Sequence, residues 1–353
     1  MRLSSHLRWL LLCLLFSFVL PAFAETPIVV KVVVVAMYEQ GADTGDAPGE
    51  FQYWVEREHL NKVIPFPAGN HDLRMNNDGV LGVLTGVGTA KATATIMALG
   101  LDPRFDLTHA YWLVAGIAGG NPANVSLGSA VWAHWVVDGD LAHEIDAREI
   151  PPDWPTGYVP LRKSVPYEQP ANNDLGQAYE LNASFVAWAF QLTKDIPLQD
   201  NAAIQEHRSH FSEPAAKKPP FVFQGDDLSA STFWHGVKMD AWANAWVSYY
   251  TGNQGHFAVT GMEDTGTLQS LKFLAHAGKV DWNRILILRT VSNYDQPPPG
   301  MSAWESLAAE KAGKYSAFMP ALESAYTVGH VVVDRLVQDW PHVQSEVPRL
   351  DAK

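Results

Sequence analysis

From Ile28 to Ala36 the chain reads IVVKVVVVA, a β-branched run interrupted by a single lysine. A strand with one wet face alternates apolar and polar residues, whereas a strand without alternation has both faces covered, as in the middle of a parallel or mixed sheet. This run is expected mid-sheet, so helices must flank it. The rest of the chain supplies them by alternating apolar strands, Gly-rich bends and helical stretches.

The segment Gly41 to Glu50, rich in Gly, Asp and Pro, reads as a loop after that strand. Asp72 to Met75 and Val80 to Thr85 flank Asn76-Asn77-Asp78-Gly79, a hairpin turn signal. Gly86-Val87-Gly88 leads into a helix over Thr89 to Leu99. A strand over Ala110 to Ala115 runs into a Gly-rich bend, Gly116 to Gly120, and another strand spans Ser129 to Val137. Helical spacing covers Asn173 to Lys194 and Lys238 to Tyr250, with strands at Phe221 to Gln224, His256 to Thr260 and Arg284 to Val291. Ser302 and Glu305 have capping-box spacing.

Arg2 and Arg8, the apolar stretch Trp9 to Leu20 and Ala22-Phe23-Ala24 have the form of a secretory signal peptide over 1–24, followed by one domain over 25–353. The apolar run is too short for a spanning helix, which needs about 20 residues. An exported, periplasmic or secreted protein is expected. The one cysteine, Cys13, falls in the leader, so no disulfide supports the mature chain. A net charge of −13, more negative still without the leader arginines, disfavours nucleic acid and anionic lipid as partners. No cofactor or metal is expected, since the thirteen histidines include no His-x-x-x-His pair with a flanking Glu, and no phosphate-binding Gly-Lys-Ser/Thr loop occurs.

Ligands of open α/β sheets bind outside the carboxyl ends of the strands. Three candidate Gly-rich bends follow strands here, at Gly86, at Gly116 and at Gly225-Asp226-Asp227. At one strand end stand Met262 and Glu263: the carboxylate can accept from a vicinal diol while the thioether packs on a sugar face. Glu263 equally suits the first turn of a helix. Asn293 ends another strand, where its amide can both donate to and accept from a purine edge or simply serve a turn.

The blocks VVVVAMYEQ, GVGTAK, AGIAGGNP with LGS, GDDLSAS, VTGMEDTG and RTVSNYDQ, taken in order, resemble the purine nucleoside permease family over essentially the whole mature chain. They are similar, more distantly, to the nucleoside phosphorylase and nucleosidase superfamily. The resemblance implies a three-layer α/β sandwich around a twisted mixed sheet, with a purine nucleoside across the strand ends. It implies a ribose-contacting pair in Met262 and Glu263, and a base contact in Asn293 of the type associated with 6-oxopurines. Leu228 falls near the superfamily's base-stacking aromatic, which passes that role to Phe233 or Trp234. Gly116 would bring backbone close to the ligand.

Phosphorolytic relatives hold phosphate with an arginine and a serine where this chain has Val114 and Ile117. A cation would have to come from elsewhere, such as Arg57 or Arg74, or from a neighbouring subunit, since the resemblance also leaves room for a homo-oligomer. In hydrolytic relatives a glutamate after the first strand activates water. The nearest match is Gln40, which cannot act as a base, so the expectation passes to Glu39. The leading expectation is nucleoside binding in transport, with an unidentified membrane transporter as partner. The alternative is N-glycosidic cleavage outside the cytoplasm, with Asn293 stabilising the departing base and Glu39 assisting the nucleophile.

Overall fold

The computed structural model describes residues 26–313 and 317–350; the segment read as a leader, Cys13 included, lies outside the described residues. Fourteen strands are described: β1 (Ile28–Val29), β2 (Val32–Ala36), β3 (Lys62–Ile64), β4 (Leu73–Met75), β5 (Val80–Leu84), β6 (Phe105–Asp106), β7 (Tyr111–Gly120), β8 (Ala130–Asp138), β9 (Ala142–Glu144), β10 (Tyr158–Pro160), β11 (Ala178–Glu180), β12 (Val222–Ser229), β13 (Phe257–Thr260) and β14 (Ile285–Tyr294). Ten form one mixed sheet in the order β11-β8-β12-β13-β7-β2-β5-β4-β3, with β14 pairing both β7 and β8. Those two pairings, with β13 against both β7 and β12, close one end of the sheet on itself.

β2 lies between β5 and β7, parallel to both, with all five residues buried. This is the covered mid-sheet strand that the β-branched run predicts. The run does not stay one strand: at Lys31 the backbone turns to pair with Gly79, and Ile28–Val29 joins β6 instead. The β4–β5 hairpin turns at Gly79, whose φ of +92° suits glycine, with Asn76 Oδ1 accepting from the Asp78 and Val80 amides.

Helices complete a three-layer α/β sandwich. The helix Phe318–Gln338 packs on β14, β7, β8 and β2, and Thr89–Gly100 packs against Asp264–His276. In the helix Val237–Tyr250, Trp242, Trp246 and Tyr249 are buried, as a core-facing stripe requires. Ser302 and Glu305 make the reciprocal capping box that starts the helix Ala303–Lys311.

Three local expectations are corrected. Residues 116–120 are no bend: they complete β7, paired to β14 and β13. Gly225 to Asp227 likewise lies within β12, where a bulge shifts the register against β8 and β13. The helix expected from Asn173 begins only at Ala183, because Asn182 caps it by accepting from the Phe185 amide and the preceding residues form β11.

Candidate functional site

A cavity of about 190 Å³ opens where the ends of β2, β5 and β13 meet the later residues of β7 and β14. Its depth is polar, with Glu50, Glu263, Arg289, Ser292 and Asn293. Its mouth carries the part-exposed Tyr38, Val87 and Phe233.

Glu263 is the residue around which the cavity is built. Only 4% of it is exposed; Oε1 accepts from the Gly88 amide at 3.1 Å and Oε2 from Arg289 Nη2 at 3.0 Å. The Gly86-Val87-Gly88 bend therefore acts on the site by fixing this carboxylate. Arg289, in the middle of β14, also pairs with Asp264 at 2.8 Å and donates Nη1 to the Ile117 carbonyl. Burial alone would lower the Arg289 pKa; Asp264, Glu263, Glu50 and Asp227 raise it instead. Asp227 is pushed well above the usual carboxylate range by burial and then by Asp264.

Glu50 enters the cavity from the end of the loop after β2. Its Oε2 accepts from the Met37 and Tyr38 amides at 2.8 and 3.1 Å, and its Oε1 from the Ile117 amide at 2.7 Å. Burial raises its pKa to about 7, against the lowering field of Arg289. Gly116 makes this placement possible without lining the cavity. A Cβ there would overlap the Met37 methyl and the Glu50 carboxylate.

Asn293 lines the same cavity beside Gly119, where a register shift between Val291 and Asn293 interrupts the β14–β7 ladder. Its Oδ1 is within reach of the Ser292 hydroxyl at 2.9 Å and its Nδ2 donates to the Tyr294 carbonyl at 3.1 Å, which fixes the amide.

The purine nucleoside permease family model matches residues 29–348. The chain belongs to that family. A purine nucleoside permease of Candida albicans is 30% identical over 328 residues, 92% of this chain and 79% of that one. A probable purine nucleoside permease of Schizosaccharomyces pombe is 32% identical over 292 residues, 80% of this chain and 81% of that one. Among solved structures, the 5'-methylthioadenosine/S-adenosylhomocysteine nucleosidase of Neisseria meningitidis, in complex with methylthio-immucillin-A, aligns with a TM-score of 0.52 at 15% identity. The alignment covers 86% of this chain and 99% of the nucleosidase, and it shows a shared fold.

On this permease-family fold, Met262, Glu263, Phe233 and Asn293 line the same cavity, although they come from three separate segments. Glu39 does not line it. Its carboxylate accepts from the Gly49, Phe51 and Gln52 amides and so caps the helix Gln52–Arg57. What separates the two acids is place: Glu50 lines the cavity, whereas Glu39 is spent on the helix start. Leu228 is fully buried, while Phe233 flanks the cavity.

Sequence reasoning assigned no role to Glu50 or Arg289. A lone arginine inside ILILRTVSN is a signal for the second, because a cation in a central strand must find buried acids.

One trio among the described residues, Glu58, His330 and Asp334, brings potential metal-ligand atoms within 4.8 Å of one another, away from the cavity. Its imidazole is already held between carboxylates: Nδ1 lies 2.5 Å from Glu58 Oε1 and Nε2 lies 3.2 Å from Asp334 Oδ2. Glu58 raises the His330 pKa by its hydrogen bond, and the contact ties the end of the helix Gln52–Arg57 to the helix Phe318–Gln338.

Proposed function

We propose that the cavity binds a purine nucleoside and that the protein serves nucleoside transport. The observation that carries this reading is the buried Glu263 carboxylate, fixed by Gly88 and Arg289 beside Met262 in a cavity that Asn293 and Phe233 also line. A fixed carboxylate accepts both hydroxyls of a ribose diol, and the thioether packs on the sugar. Phe233 offers a stacking face and Asn293 an amide for the base. The relatives' names, purine nucleoside permease, support the transport role. No described helix is long and apolar enough to cross a membrane. In this reading the path through the bilayer belongs to an unidentified membrane partner, and the protein acts after export.

A second reading, N-glycosidic cleavage, is favoured by Glu50, an acid with a pKa of about 7 facing the same cavity. As a carboxylate it would take a proton from a water attacking the anomeric carbon, while the C–N bond breaks toward a base hydrogen-bonded by Asn293. Incubating purified protein with inosine while measuring bound nucleoside and free hypoxanthine separates the two. Binding without release of base supports transport, release supports cleavage, and absence of binding overturns both.

A further inference from the structure

Beyond the main cavity lies an annex of about 20 Å³, which shares with it Gly119, Phe233, Thr260, Met262 and Asn293. That volume holds one water molecule or one amino nitrogen. Asp295, two residues past Asn293, lines the annex and is 1% exposed. Neither of its carboxyl oxygens has a hydrogen-bond donor from another described residue.

Another acid lies beside Asp295. Asp240, from the helix Val237–Tyr250, lies within hydrogen-bonding reach of it. Asp240 Oδ2 accepts from Asn244 Nδ2 at 3.1 Å, and its Oδ1 has no donor. Burial raises both acids, Asp295 the more, and the charges of Asp240 and then Glu310 add to the rise at Asp295. One proton shared between the carboxyls satisfies one oxygen of each. The second oxygen of Asp295 is left as an acceptor with no donor from any other described residue, the one amide acting on this carboxyl being its own. A buried acceptor without a donor is costly, and a native site retains one where something else supplies the donor.

We propose that Asp295 is a specificity-determining residue of the base end of the site, accepting a hydrogen bond from an N–H on the six-membered ring of the purine, directly or through one water in the annex. The donor is either the N1–H of a 6-oxopurine or the amino group of a 6-aminopurine. The proposal rests on the nucleoside reading above and adds to it the edge of the base that is read.

The test is titration calorimetry with inosine, adenosine and purine riboside, which keeps the ribose and ring but has neither N–H. Wild type is expected to bind inosine or adenosine at least tenfold more tightly than purine riboside, and the preferred one names the donor. Asp295→Leu is expected to erase that gap while leaving purine riboside affinity unchanged. Asp295→Asn keeps the gap, because its amide can donate to Asp240 and present the carbonyl to the annex. A gap that persists in Asp295→Leu, or a loss shared by purine riboside, overturns the proposal while leaving the nucleoside reading standing. If Asp295→Leu does not fold, the wild-type comparison decides, and equal affinities overturn the assignment. Failure of wild type to bind any of the three removes the nucleoside reading and this proposal with it.

Discussion

Arg289 Nη2 lies 3.0 Å from Glu263 Oε2 with both side chains buried, so the one cation lining the cavity among the described residues is already committed to an acid. The pair orients the carboxylate for a neutral polyhydroxyl partner and leaves no positive charge unmatched. Replacing Arg289 with Met should therefore cost stability, because Glu263 and Asp264 would stay buried without a counter-charge. Breaking one side of such a network costs about 3–5 kcal/mol. Urea unfolding checks this, and a loss below about 1 kcal/mol would show that the acids simply take up protons.

Phosphate should make no difference to binding or turnover. Val114 is buried within β7 and Ile117 lines the cavity, so neither supplies a charge. The two distant candidates are engaged elsewhere: Arg57 makes a two-pronged contact with Glu323 at 2.7 and 2.8 Å, and Arg74 donates to Asp43 at 2.6 Å. Burying a phosphate without a paired cation is costly. Inosine turnover measured against phosphate concentration is expected to be flat; saturable formation of ribose 1-phosphate would make the protein a phosphorylase.

Glu50 gives a pH signature. In the native state it holds its proton up to about pH 7, whereas the unfolded chain releases it near 4.5. Between those values the native state binds more protons, so the Glu50 contribution to stability falls as pH rises. Any base catalysis follows the opposite course, since only the carboxylate can take a proton: the rate rises with pH and levels above about 7. Glu50→Gln should flatten this part of the stability profile and remove turnover while keeping nucleoside binding. A pH–rate limb unchanged in that variant would exclude Glu50 as the base.

The leader is a separate expectation. The small residues Ala22 and Ala24 after a short apolar core place the mature N-terminus near Glu25. Intact-mass analysis of exported protein is expected to show loss of residues 1–24, and retention of Met1 would contradict it.

What the sequence reveals follows from how local each signal is. The covered strand β2, the hairpin at Gly79 and the capping box of Ser302 and Glu305 are set by neighbouring residues, and each reads directly from pattern. Glu263 and Asn293 are polar groups near strand ends, a position that alone leaves Glu263 open between a site and a helix start, and the resemblance is what pairs it with Met262. Glu50 was hidden by distance: the loop from Gly41 separates it from β2, and the contacts that hold it come from Ile117 as well as Met37 and Tyr38. Glu39 draws the expectation because it stands beside Gln40, and only the fold shows that its carboxylate goes to a helix start while Glu50 lines the cavity. Gly116 read as part of a bend because glycine favours turns, whereas here its missing side chain makes room for Glu50 within a strand.

The central claim is that Glu263 holds the ribose of a bound purine nucleoside. Titration calorimetry of wild type and Glu263→Gln with inosine and with hypoxanthine tests it most directly. The amide keeps the shape but loses the charge and one acceptor, and a hydrogen bond to a charged group contributes about 1.5–3 kcal/mol. Inosine affinity is expected to fall about 10- to 100-fold while hypoxanthine affinity is unchanged; equal losses for both ligands would contradict the ribose role and leave Glu263 as a structural partner of Arg289.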